Sequence, residues 1–108
     1  MVGRWRTELH TEHAGSAQAV FEFKRDGTYI ADLSFPTHKR HLAAKWRGTW
    51  ELTGFGGNQV LAISTASVES SGTTIATDIG TKRGRVAFAA DTFTMTDALG
   101  PTVFRHLK

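Results

Sequence analysis

The sequence predicts an all-β protein, a small antiparallel up-and-down β-barrel of about eight or nine strands. Three observations carry that reading. Apolar and polar residues alternate with a period of two from one end of the chain to the other. Eleven glycines and only two prolines suit short strands joined by tight turns. An open sheet with so many strands would also leave two edges bare and one face wet, and closure removes the edges. A barrel of about eight strands has a lumen that side chains can fill, or that can hold one small ligand.

The strands follow in order. Residues 3–10 place Trp5, Thr7 and Leu9 on one face, with Arg4, Arg6 and Glu8 opposite. Residues 18–25 put Phe21 and Phe23 inward against Glu22 and Lys24. Asp26-Gly27 then offers the left-handed backbone of a two-residue hairpin turn. The return strand, 28–35, carries Tyr29, Ala31, Leu33 and Phe35. The clearest alternation runs from Leu42 to Thr53. Leu42, Ala44, Trp46, Gly48, Trp50 and Leu52 share one face; Ala43, Lys45, Arg47, Thr49, Glu51 and Thr53 share the other. A helix would mix those two sets, whereas a strand separates them.

After the glycine-rich stretch 54–58 comes a strand with Leu61 and Ile63. Shorter segments around Ile75–Ile79, Val86–Ala90, Phe93–Met95 and Val103–Leu107 complete the set. Only Ser67–Thr81 is irregular enough to hide a short helix.

A chain of 108 residues has room for one core, so a single domain spanning 1–108 is expected. With no cysteine there is no disulfide framework, no cysteine zinc site and no thiol catalysis. The formal net charge of +3 favours anionic ligands slightly. It falls short of a dedicated nucleic-acid binder. The basic segments His38–Arg40 and Lys82–Arg85 are too short for that role and lack interleaved aromatics. No apolar run approaches the roughly 18 residues of a spanning helix, so no membrane span is expected. A cytoplasmic protein and an exported domain trimmed of its leader fit equally well.

Catalytic signatures are missing. There is no Gly-x-Ser-x-Gly elbow, no phosphate-cradling glycine loop and no His-Glu-x-x-His. Glu12, Glu51, Glu69 and Asp78 are scattered, without an acid–base pairing. The expectation is a protein that is not an enzyme and uses no cofactor.

Topology sorts the connections. In a meander, alternate turns share an end. The turns at 26–27, 54–58 and 81–84 should lie beside Trp5, and the connections at 10–17, 36–41 and 67–72 at the other end. The latter carry His10, His13, His38, Lys39, Arg40 and His41 around one mouth. Three readings compete for them. They attract an anionic head group; or the histidines hold a transition metal; or they are the ordinary polar residues of exposed loops. No carboxylate is placed to complete a metal site, so none is assigned. In the lumen, Trp5, Phe23, Tyr29 and Trp50 should form solid core at the Trp5 end. Leu9, Phe21, Leu33, Phe35, Leu42 and Trp46 lie nearer the mouth, where Ala31 and Ala44 leave room.

Gly3-Arg4-Trp5 at the start of the first strand resembles the Gly-x-Trp signature of lipocalins and the wider calycin group. Phe23-Lys24-Arg25-Asp26-Gly27-Thr28-Tyr29 is similar to a hairpin found in small bacterial lipocalin-like domains. Gly48-Thr49-Trp50, the segment Asp91–Asp97 and Phe104-Arg105 fit the same pattern. The resemblance implies a barrel closed beneath a signature Trp5, with Gly3 before it and the basic Arg105 lying over its ring. It also implies a non-catalytic binding module for a small apolar or amphipathic, and in one version anionic, molecule. The ligand-binding candidates are Leu9, Phe21, Leu33, Phe35 and Trp46 in the lumen, with His38, Lys39, Arg40 and His41 at the mouth. The alternative is a protein-interaction module, such as a small barrel inhibitor with a filled lumen.

Overall fold

A computed structural model describes residues 1–11, 15–35, 42–56, 58–70, 73–98 and 100–107. Eight strands form one closed antiparallel barrel in simple sequence order. They are β1 (Gly3–Thr11), β2 (Gly15–Phe23), β3 (Thr28–Phe35), β4 (Leu42–Thr53), β5 (Gln59–Ser70), β6 (Thr73–Phe88), β7 (Thr92–Asp97) and β8 (Gly100–Leu107). The barrel closes where β8 returns to pair with β1.

The period-two pattern places most of the core as expected, although Trp50, expected as solid core, is only half-buried against it. Trp5, Phe21, Phe23, Tyr29, Ala31, Leu33, Leu61 and Ile63 are buried, joined by Val86, Phe93, Met95 and Phe104. Their sequence neighbours point outward, among them Arg4, Arg6, Glu22, Lys24 and Arg85.

Two readings of the later chain are corrected. Residues 75–79 and 86–90 are not separate strands joined by a turn at 81–84. Residues 75–79 and 86–88 belong to β6, one continuous strand of 16 residues that ends at Phe88. The turns at the Trp5 end are therefore those between β2 and β3, β4 and β5, and β6 and β7. Ser67–Thr81 holds no helix among its described residues; it is the far end of β5 and the start of β6. The turn reading at 81–84 fails because Gly84 serves a contact and not a turn. A Cβ on Gly84 would lie 2.8 Å from both the Met95 side chain and the Thr96 carbonyl oxygen. The bare backbone lets β7 cross close over β6.

The β2–β3 connection is also longer than a two-residue turn. Lys24 to Gly27 form a β-turn in which the Gly27 amide donates to the Lys24 carbonyl at 3.1 Å. Gly27 supplies the left-handed residue, at φ 87°. Asp26 accepts from the amide and hydroxyl of Thr28 at 2.9 and 2.6 Å, which fixes the exit into β3. Trp50 latches this turn from β4. Its amide donates to the Gly27 carbonyl and its indole to the Lys24 carbonyl, both at 2.9 Å.

Strand lengths set the shape of the wall. β5 and β6 pair over almost their full length. The short β7–β8 hairpin is held to β6 by four rungs, Arg85–Thr96 to Phe88–Phe93. It is held to β1 by three, Arg4–Leu107 to Arg6–Arg105. The wall is thus complete around the Trp5 end and low on the side of β7 and β8.

Candidate functional site

The Trp5 end is plugged by aromatic side chains. Trp5 meets Phe93 edge-on, with ring centroids 4.7 Å apart. Phe93 stacks on Phe104 at 4.5 Å, and Phe104 meets Phe21 edge-on at 5.5 Å. Each such pair adds about 0.5–1.5 kcal/mol beyond the area it buries. The Trp5 indole donates to the Met1 carbonyl at 2.8 Å, so its one polar atom is satisfied.

The residue over Trp5 is His106, not Arg105. The imidazole centroid lies 4.8 Å from that of Trp5. On β8 the inward parity runs through Phe104 to His106, which turns the intervening Arg105 outward into solvent. Counting a basic residue near the chain's end found the right strand and the wrong side of it. A Cβ on Gly3 would lie 3.2 Å from the His106 ring, so the bare backbone there leaves room for the imidazole.

Above this plug the lumen is not filled. A cavity of about 320 Å³ is lined by apolar groups from six of the eight strands: Leu9, Phe21, Trp46, Ile63, Met95 and Phe104. Leu9, Phe21 and Trp46 were named from the sequence. Leu33 does not reach this space; at 2% exposure it is packed into the core beside Ala31. Phe35 belongs to β3, but its side chain lies outside the described residues, as does that of Leu42. Ile63, Met95 and Phe104 were missed as lining residues, although alternation alone places them on the inner face.

The polar edge of the same cavity comes from Thr65, Thr81, Lys82 and Thr102. Thr65 is occupied below, where its hydroxyl pairs with that of Tyr29 at 2.5 Å. Burial pushes the Tyr29 phenol above its ordinary value, and the Thr65 hydrogen bond opposes this. Lys82 shares the inner parity of Gly84 and Val86. Its ammonium lies 3.1 Å from a carboxylate oxygen of Asp97, whose side chain is only 11% exposed.

The mouth expected to carry His38, Lys39, Arg40 and His41 lies outside the described residues, and so do His13 and the His10 side chain. Among the described residues no group of three or more His, Asp or Glu is gathered in a way that could hold a metal ion.

A second opening lies in the wall itself. Beyond Arg6 and Arg105, β1 and β8 form no further rung. The first missing rung is replaced by a side chain: the buried Thr7 hydroxyl donates to the Val103 carbonyl at 2.8 Å. A cleft of about 500 Å³ occupies this diverging seam. It is lined from the outer face by Arg6, Glu8, Val103 and Arg105, and from the inner face by Thr7, Leu9, Lys82 and Thr102.

These features define a small, closed, eight-stranded antiparallel barrel of the general calycin shape, plugged at one end and partly hollow above. No protein-family model matches the chain, and no curated protein sequence matches it.

Proposed function

We propose that the protein is a non-catalytic binding module whose lumen takes the apolar body of a small apolar or amphipathic molecule. One observation carries the reading. The lumen keeps about 320 Å³ of space with a largely hydrocarbon and aromatic lining, although nearby Phe23, Phe93 and Leu61 are packed to full burial. Natural interiors are close-packed, so an apolar hollow that stays open at the barrel's end sets this region apart from ordinary core. Ligand pockets start at roughly this size. The same space weighs against an interaction module with a filled lumen.

Trp46 supplies the test. It lines the cavity, whereas Trp5 and Trp50 lie outside its lining. Titration with a medium-chain fatty acid should change tryptophan fluorescence saturably, and Trp46→Leu should remove that change while the fold persists. If neither fatty acids nor neutral apolar probes perturb Trp46 at millimolar concentration, the carrier reading fails and a protein partner becomes the better candidate.

A further inference from the structure

We propose that the side cleft between β1 and β8 is an anion site. It would seat the carboxylate, or a like anionic head, of a single-chain amphiphile whose tail lies in the lumen. The inference rests on the binding function proposed above and gives the ligand an orientation. The head leaves through the wall, not through the loops opposite Trp5.

Three features converge on the cleft. First, it cuts through the wall, since residues of both faces of the barrel line one continuous space. Leu9, Lys82 and Thr102 line the cleft and the lumen cavity alike, so the two spaces adjoin along that edge. A tail packed on Leu9 and Phe104 can place its head in the cleft without crossing apolar core.

Second, Arg6 and Arg105 stand directly opposite each other in the last rung of the β1–β8 ladder. Like charges in that position repel across the strand pair. Neither forms an ion pair or side-chain hydrogen bond among the described residues. An anion held between two guanidinium groups converts that repulsion into charge-assisted hydrogen bonds.

Third, the other charges leave that role open. The cleft holds two carboxylates, Glu8 and Asp97, and three cations, Arg6, Lys82 and Arg105. Asp97 is engaged by Lys82. Glu8 lies two positions beyond Arg6 on the outer face of β1, across from Gln18. The seam's closed end is therefore cationic, and the cleft adjoins the lumen along Leu9, Lys82 and Thr102.

The experiment compares decanoate, decanol and decyltrimethylammonium on the full chain, with Trp46 fluorescence as the readout. All three share one tail length, so differences report the head. Decanoate should bind about ten-fold more tightly than decanol, the scale of a charge-assisted contact. The ammonium amphiphile should bind most weakly. Arg6→Gln combined with Arg105→Gln should bring decanoate to the affinity of decanol and leave decanol itself unchanged. Because both side chains are exposed, circular dichroism should find the double variant folded.

Lys39→Ser with Arg40→Ser is the opposing arm and should leave the preference intact. If decanoate and decanol bind alike, or if the Lys39 and Arg40 pair controls the preference, the cleft is not the head-group site, while the lumen reading stands. If none of the three binds, the lumen reading falls and the cleft proposal with it.

Discussion

The ring of His106 packs on Trp5 with centroids 4.8 Å apart, while its neighbour Arg105 turns away on the outer face of β8. Trp5 is the larger partner and is 93% removed from solvent, being 7% exposed. Trp5→Ala should therefore cost about 3–5 kcal/mol, as truncations of buried aromatics do. His106→Ala should lose much less, and most of that loss should vanish once Trp5 is gone. Arg105→Ala should add independently to Trp5→Ala. A double-mutant cycle by urea denaturation measures both couplings. Coupling to Arg105 and none to His106 would reverse the assignment.

Gly48 has no room for a side chain. A Cβ at that position would lie 1.8 Å from the Ser64 carbonyl oxygen and 2.9 Å from the Tyr29 ring. The register of β4 on β5 shifts between Arg47 and Gly48, so the strands come close where the ladder steps. Gly48→Ala should destabilise by about 3 kcal/mol or more, at the upper end for overpacking, because backbone and not a flexible side chain must move. Gly56→Ala is the comparison. It has open space around it, so its cost should come only from the positive φ of 66°.

The seam between β1 and β8 depends on the Thr7 hydroxyl. Thr7→Val keeps the shape and leaves the Val103 carbonyl without its donor. Because Val103 lies beside the open cleft and water can reach its carbonyl, the cost should be at the low end for a lost hydrogen bond, about 1 kcal/mol. Amide hydrogen exchange should accelerate along Gly100–Phe104 before it changes in β5. Uniform exchange across both regions would mean that the hydroxyl does not hold the seam.

Tyr29 makes stability fall at high pH. Burial raises its pKa above the ordinary value of 10.0, and the hydrogen bond to Thr65 moderates the rise. Above pH 10 the unfolded chain has released the phenolic proton while the folded chain retains it, so unfolding gains free energy as pH climbs. The contribution is whole below pH 10 and is lost as pH passes through the folded value. Tyr29→Phe should flatten this alkaline limb of the unfolding curve. The chain has one tyrosine, so tyrosinate absorbance reports it without ambiguity. Ionisation near pH 10 without loss of structure would contradict the burial argument.

Alternation of residue types determined most of the strands and their inner faces by itself. Side-chain direction in a strand reverses at every residue, so Trp5, Phe21, Phe23, Tyr29 and Leu61 identify the core without reference to any neighbour. The same regularity named Leu9, Phe21 and Trp46 as lining residues. Only the tertiary structure decided what depends on the register between strands distant in sequence. It turned Arg105 outward and His106 onto Trp5. It also ran β6 straight through the glycines at 80 and 84, and it brought Arg6 opposite Arg105. The opening in the wall follows from the same cause. β7 and β8 have 6 and 8 residues against 16 in β6, and hydrogen bonding can close a wall only as high as its shortest strands.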